Sequence, residues 1–160
     1  MFYVKFFRKF SSAIGYIIIS LTGTFYIQRL LMEPIEKVSN IALTAIGTIA
    51  ALSALSFTFA PVINEAHGKK SGLYAGEKFL HSTLLIILTL FLKFAFDQLI
   101  NLDFIKSINW LKLTLGIIFY IPMIGLGGFG VTMAALGFHD LNKTLWFRYE
   151  RLSKENLKKK

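Results

Sequence analysis

The chain has 160 residues, of which 54% are hydrophobic and 17% are charged, and its formal net charge is +9. Soluble domains carry about 25% charged residues, whereas the charges here leave four long stretches almost empty. The absence of cysteine excludes disulfide frameworks, thiolate metal sites and cysteine nucleophiles.

The four charge-poor stretches define the predicted fold, because each reaches the length of about 20 residues that crosses a bilayer as a helix. Backbone polar groups in lipid must be hydrogen-bonded internally, which favours helices. We predict a single all-α integral membrane domain over residues 1–160. It is a bundle of four transmembrane helices with short amphipathic cytoplasmic helices at both termini. The predicted spans cover about residues 10–31, 41–63, 79–100 and 111–138.

The chain begins with MFYVKFFRKF, in which aromatic residues recur every four positions and basic residues occupy the other side. This pattern predicts an amphipathic helix over residues 1–10 that lies on the membrane surface. The hydrophobic run that follows is too long for a signal peptide, and QRLLMEP after it offers no small-residue cleavage site. We therefore expect the first span to be retained.

The second span is rich in small residues spaced for one helix face. Small residues let helix backbones approach closely, which drives helix association in lipid. The spacing predicts a contact face, either between subunits or inside the bundle. Its candidate residues are Gly47, Ala50, Ala51, Ala54 and Thr58.

Residues 64–78 are predicted to form a cytoplasmic loop, because three glycines there are typical of turns. Four side chains in and after this segment have the chemistry of a weak metal or catalytic set; they are Glu65, His67, Glu77 and His81. A gate, a docking site for a partner and a plain connection are the alternatives. We predict no cofactor, no metal and no enzymatic activity.

The third span contains two charged residues away from the immediate ends of a predicted span, Lys93 and Asp97. Their spacing of four places them on one helix face, where they can pair. Ionisable residues within a membrane indicate function by default. A plain ion pair whose lysine reaches towards the membrane surface is the alternative.

The fourth span contains the densest group of helix-breaking residues. Pro122 removes a backbone hydrogen bond near the middle of the span, and Gly125, Gly127, Gly128 and Gly130 follow it. The pattern predicts a kink or a locally unwound segment that lines a cavity. The alternative is a glycine face used for close packing.

The distribution of Lys and Arg predicts the orientation. Thirteen lie in the N-terminus, residues 64–78 and the basic tail 139–160, against four in the opposite connections. Cytoplasmic segments collect these residues, so both termini are predicted to be cytoplasmic, in a bacterial inner (plasma) membrane. Topology accounts for the basicity, and we expect no nucleic-acid partner. The tail has an apolar helical stripe that could rest on lipid or dock a soluble protein.

Three functions follow as hypotheses. The first is a homo-oligomeric channel, pore or membrane-perturbing effector in the lipid bilayer. The second is a membrane anchor or scaffold that recruits a soluble cytoplasmic partner through residues 64–78 and the tail. The third is a small membrane enzyme that uses the four histidine and glutamate residues.

Overall fold

The computed structural model describes residues 2–63 and 66–158, which form helices joined by short connections and contain no β-strand. The elements are α1 (Phe2–Leu31), α2 (Ile35–Phe59), a short 3-10 helix (Ala60–Val62), α3 (Ala66–Ile100), α4 (Asp103–Lys106) and α5 (Asn109–Lys158). The predicted all-α class is thus confirmed.

Three helical segments in the described part of the chain are long and apolar enough to cross a membrane. They are Ile35–Val62, Gly68–Ile100 and Asn109–Leu145. The last two contain the third and fourth predicted spans, and the first covers the second predicted span up to Val62. Their length and apolar composition are those of a membrane-embedded protein. The first predicted span, 10–31, lies within α1 and is helical, but it is not among the three.

The predicted loop over residues 64–78 is wrong from residue 66 onwards. α3 begins at Ala66 and continues as one helix of 35 residues to Ile100. Gly68, Gly72 and Gly76 lie inside this helix, with no positive φ, and therefore do not form turns. Their spacing of four places them on one helix face instead. There they approach Ile63, Ala60 and Phe57, respectively.

The helices pack in the spatial order α2, α3, α5, α1. α3 is central and packs against both α2 and α5, while α1 packs against α5. α1 and α2 are neighbours in sequence, joined by a short turn at Pro34, but they make few close contacts with each other. This separation leaves a crevice between α1 and α2.

The contacts between helices rest on small residues and hydroxyl groups. Ser53 on α2 donates a hydrogen bond of 2.8 Å to the carbonyl of Gly76, and Ser82 donates one of 2.7 Å to the carbonyl of Gly130. Phe79 is fully buried against the α5 backbone at Gly137. Close backbone approach and hydrogen bonds between helices hold bundles together in lipid.

The fourth span is a continuous helix, and the predicted unwinding does not occur. α5 runs without interruption for 50 residues with Pro122 inside it. Pro122 is exposed, so its ring lies on the outer side of the bundle. At 1.5 Å per residue, the part of α5 beyond Phe138 extends the helix by about 30 Å.

Candidate functional site

The four residues of the predicted metal or catalytic set do not come together in the described part of the chain. Glu65 and the side chain of His67 lie outside the described residues. Glu77 and His81 are exposed on α3. No group of three or more metal-binding side chains is present among the residues described. Nothing there assembles a metal site.

Lys93 and Asp97 form the predicted ion pair. The Lys93 Nζ lies 2.8 Å from Oδ1 of Asp97, and the two side chains are 9% and 22% exposed. α2 and α3 are antiparallel and touch where Ser53 bonds to Gly76. Lys93 follows Gly76 by as many residues as the first turn of α2 precedes Ser53, so Lys93 is level with that turn. The pair therefore lies at the end of the bundle where α1 and α2 are joined.

A second ion pair, which the sequence patterns did not reveal, lies at the opposite end. Lys78 on α3 contacts the carboxylate of Asp140 on α5, and the two side chains are 31% and 15% exposed. The carbonyl of Asp140 also accepts hydrogen bonds from Ser71 and Thr144. The only available sequence signal was a pair of opposite charges just outside the third and fourth spans.

The four glycines that follow Pro122 in the predicted hinge divide into two groups. Gly127, Gly128 and Gly130 are buried, whereas Gly125 is exposed. A methyl group added at Gly127 would lie 2.7 Å from Cγ2 of Ile27, and one at Gly128 would lie 2.7 Å from Oγ1 of Thr24. Both neighbours belong to α1. These distances support the alternative in which the glycines are packing contacts.

The small-residue face of α2 points away from the chain's own bundle. The buried positions of α2 are Val38, Ala42, Ser53 and Ser56. All of the predicted contact residues are exposed: Gly47, Ala50, Ala51, Ala54 and Thr58. Intramolecular packing therefore does not occupy this face. Asn40 and Thr44, which are not among the predicted contact residues, are exposed and extend this face towards the N-terminus of α2.

An apolar cavity of about 270 Å³ lies between α1, α2, α3 and α5. The surface that faces it is almost entirely carbon. Among the described residues, every buried side-chain nitrogen and oxygen has a hydrogen-bond partner. The described interior of a single chain thus offers an apolar space at this point and no set of unsatisfied polar groups.

No protein family, curated protein or solved structure matches this chain. The fold defines the class, an all-α membrane protein with three long apolar helices. Its activity has to be inferred from the surfaces that these helices present.

Proposed function

We propose that this protein is a homo-oligomeric channel, pore or membrane-perturbing effector that assembles through α2. We further propose four spans, with α1 as the first. The terminal segments of α1 and α5 are amphipathic, and both termini lie on the cytoplasmic side of a bacterial inner membrane. One observation carries the proposal: a continuous stripe of small and polar residues on the exposed side of α2.

The stripe is narrow and as long as the membrane is thick. With 3.6 residues per turn, its members fall within a sector of about 80°. From its first to its last residue it rises about 27 Å, close to the ~30 Å of the hydrocarbon core. The members, all exposed, are Asn40, Thr44, Gly47, Ala51, Ala54 and Thr58.

The composition of the stripe suits helix contact rather than lipid contact. The small residues permit close backbone approach between copies. Replacing lipid by a second copy at this face carries no hydrophobic cost, because both are apolar. Leu43 and Leu55, which are 60% and 49% exposed, flank the stripe. Such a face in several copies supports an assembly around an axis.

The polar members support a water-filled path at that axis. The hydroxyls of Thr44 and Thr58 donate to carbonyls of their own helix, at 2.9 Å and 2.8 Å. Their donors are thus satisfied, while a hydroxyl oxygen still has lone pairs that can accept from water or coordinate a cation. An aqueous path would use these acceptors, whereas lipid would not.

The length of α5 favours a second function, that of a membrane anchor or scaffold. The helix continues as one piece from Asn109 to Lys158, well beyond the predicted span. A rigid basic helix of this length could present a docking surface to a soluble cytoplasmic protein. Residues 66–78 are part of α3, so this partner would bind the tail and not a loop.

Substitutions in the stripe test the first proposal. Ala54→Leu adds bulk at an exposed position and should leave the single chain folded. Gly125→Leu is the matched control, because an added Cβ there meets no atom within 4 Å and the position lies on α5. The measurements are the oligomer mass in mild detergent and ion flux in proteoliposomes.

We expect the parent protein and Gly125→Leu to form the same oligomer and conduct ions. Ala54→Leu should weaken assembly by about tenfold or more, equivalent to about 1.4 kcal/mol, and reduce flux. A parent protein that is monomeric and gives no flux would reject the channel and favour the scaffold. Equal assembly and flux in all three proteins would show that the stripe is not the interface.

A further inference from the structure

The crevice between α1 and α2 has the dimensions of one leaflet of a bilayer. On α2 its lining residues run from Val38 to Ile49, a rise of about 16 Å. Half of the ~30 Å hydrocarbon core is about 15 Å. The crevice begins at the end of the bundle where Pro34 joins the two helices, so it belongs to the leaflet on that side.

The walls of the crevice are apolar and therefore suited to a hydrocarbon chain. α1 and α2 contribute Tyr26, Leu30, Ile41 and Ala45, with Ile86 and Val131 behind them. Protein interiors are close-packed, and an apolar cavity of about 150 Å³ stays dry and takes up benzene. The volume here, about 270 Å³, is larger than that. The cavity is partly open, and Tyr26 at its edge is 55% exposed, so lipid has access from the side.

The buried ammonium group of Lys93 lies just beyond the end of this crevice that is nearest to the α1–α2 turn. Lys93 is one helical turn beyond Thr89, which lines the crevice, and lies on the same face of α3. The residue is only 7% exposed. An ammonium group has three donors, and among the described residues Asp97 is its one hydrogen-bond partner. The remaining donors are available for an anionic oxygen.

From these observations we propose that the crevice binds one acyl chain of an anionic phospholipid. The lipid comes from the leaflet at the α1–α2 turn, and its phosphate group interacts with the ammonium of Lys93. The length of the crevice, its apolar walls and the N–H donors of Lys93 that Asp97 does not use each match one part of such a molecule. The site lies on the side of α2 opposite to the exposed stripe, so it does not depend on oligomer formation.

Photolabelling of the parent protein tests the location. The full chain is reconstituted in phosphatidylcholine vesicles that contain phosphatidylglycerol with a photoreactive acyl chain, and labelled residues are mapped by mass spectrometry. α2 provides an internal control, because Ile41 and Ala45 line the crevice while Leu43 faces outwards. We expect about tenfold more label on the crevice side, a preference of about 1.4 kcal/mol. Equal labelling of both sides would overturn the proposal.

Two variants and a control test the two parts of the site. Ala45→Phe fills the crevice and should reduce retention of phosphatidylglycerol in native mass spectrometry by about tenfold. Gly125→Phe, on the exposed side of α5 where an added Cβ meets no atom within 4 Å, should retain it. Lys93→Gln with Asp97→Asn should keep crevice labelling but lose the preference for phosphatidylglycerol over phosphatidylcholine.

The variants test the crevice and the phosphate contact separately. Retention unchanged by Ala45→Phe would reject the crevice, and an unchanged lipid preference in the Lys93→Gln/Asp97→Asn protein would reject the phosphate contact. If Ala45→Phe does not accumulate, the map of labelled residues in the parent protein decides the question alone.

Discussion

Gly127→Ala and Gly125→Ala form a matched pair within one segment of α5. Both replace a glycine inside a continuous helix, so both gain the same intrinsic preference of alanine for the helix, about 1 kcal/mol. They differ in surroundings. An added Cβ at Gly125 meets no atom within 4 Å, whereas one at Gly127 lies 2.7 Å from Cγ2 of Ile27. The difference between the two variants therefore reports the contact between α1 and α5.

The expected magnitude follows from the two contributions. Forcing a methyl group into a packed contact costs about 1–3 kcal/mol. Gly127→Ala should then lower the free energy of unfolding by about 0–2 kcal/mol, since the gain in helix preference offsets about 1 kcal/mol of that cost. Gly125→Ala should raise it by about 1 kcal/mol. The two variants should therefore differ by about 1–3 kcal/mol, with Gly127→Ala the less stable.

Unfolding in mixed micelles with increasing dodecyl sulfate, followed by helicity, measures this difference. The variant Ile27→Ala, alone and combined with Gly127→Ala, completes a double-mutant cycle. The combined protein should be more stable than the sum of the single effects predicts, because the clash is removed. If Gly127→Ala is as stable as Gly125→Ala, the glycine is not a packing contact. A loss of ion flux without a loss of stability would then restore the hinge hypothesis for this segment.

Three further predictions concern the ends and the middle of the bundle. Lys78→Ala should lower the free energy of unfolding by about 1.5–3 kcal/mol because Asp140 loses a charged partner. Adding Asp140→Asn to Lys78→Ala should recover part of that loss in the same unfolding assay, because no unpaired charge is then left. In that assay Ser82→Ala should lower the free energy of unfolding by about 0.6 kcal/mol, the average for a hydrogen bond between membrane helices. A loss above about 2 kcal/mol would show that Ser82 contributes more than this one hydrogen bond. In intact cells, a cysteine that replaces exposed Lys69 should be protected from impermeant thiol reagents and one that replaces Asp103 should react, whereas the reverse pattern would invert the topology.

The sequence predicted the helical elements well, because the bilayer imposes requirements on individual segments. A charge-free stretch such as 41–63 must be helical in lipid whatever its neighbours are. Residues 41–62 of it fall in a helical segment that is long and apolar enough to span. The same reasoning failed for residues 66–78, where charged residues and Gly68, Gly72 and Gly76 suggested a loop. Glycines spaced by four can serve helix contact as readily as turns, and only the neighbours Ile63, Ala60 and Phe57 distinguish the two.

The candidate sites were less predictable, because a site depends on which faces meet. A spacing of four was enough to predict the pair of Lys93 and Asp97 within one helix. It could not predict that Lys78 pairs with Asp140, since these residues are 62 positions apart and meet only through the packing of α3 against α5. Likewise, the sequence placed the glycines of α5 on a helix but not against α1.

The amino-acid sequence alone determined that this protein is helical and embedded in a membrane, because hydropathy and backbone hydrogen bonding act within each segment. Tertiary structure decided everything that depends on two segments together. It buried Gly127 against Ile27, separated α1 from α2 to leave the apolar crevice, and turned the Ala54 face of α2 outwards. The physical reason is that the hydrophobic effect does not favour one apolar helix face over another as a packing surface in lipid. Shape and a few hydrogen bonds then select which faces pack together.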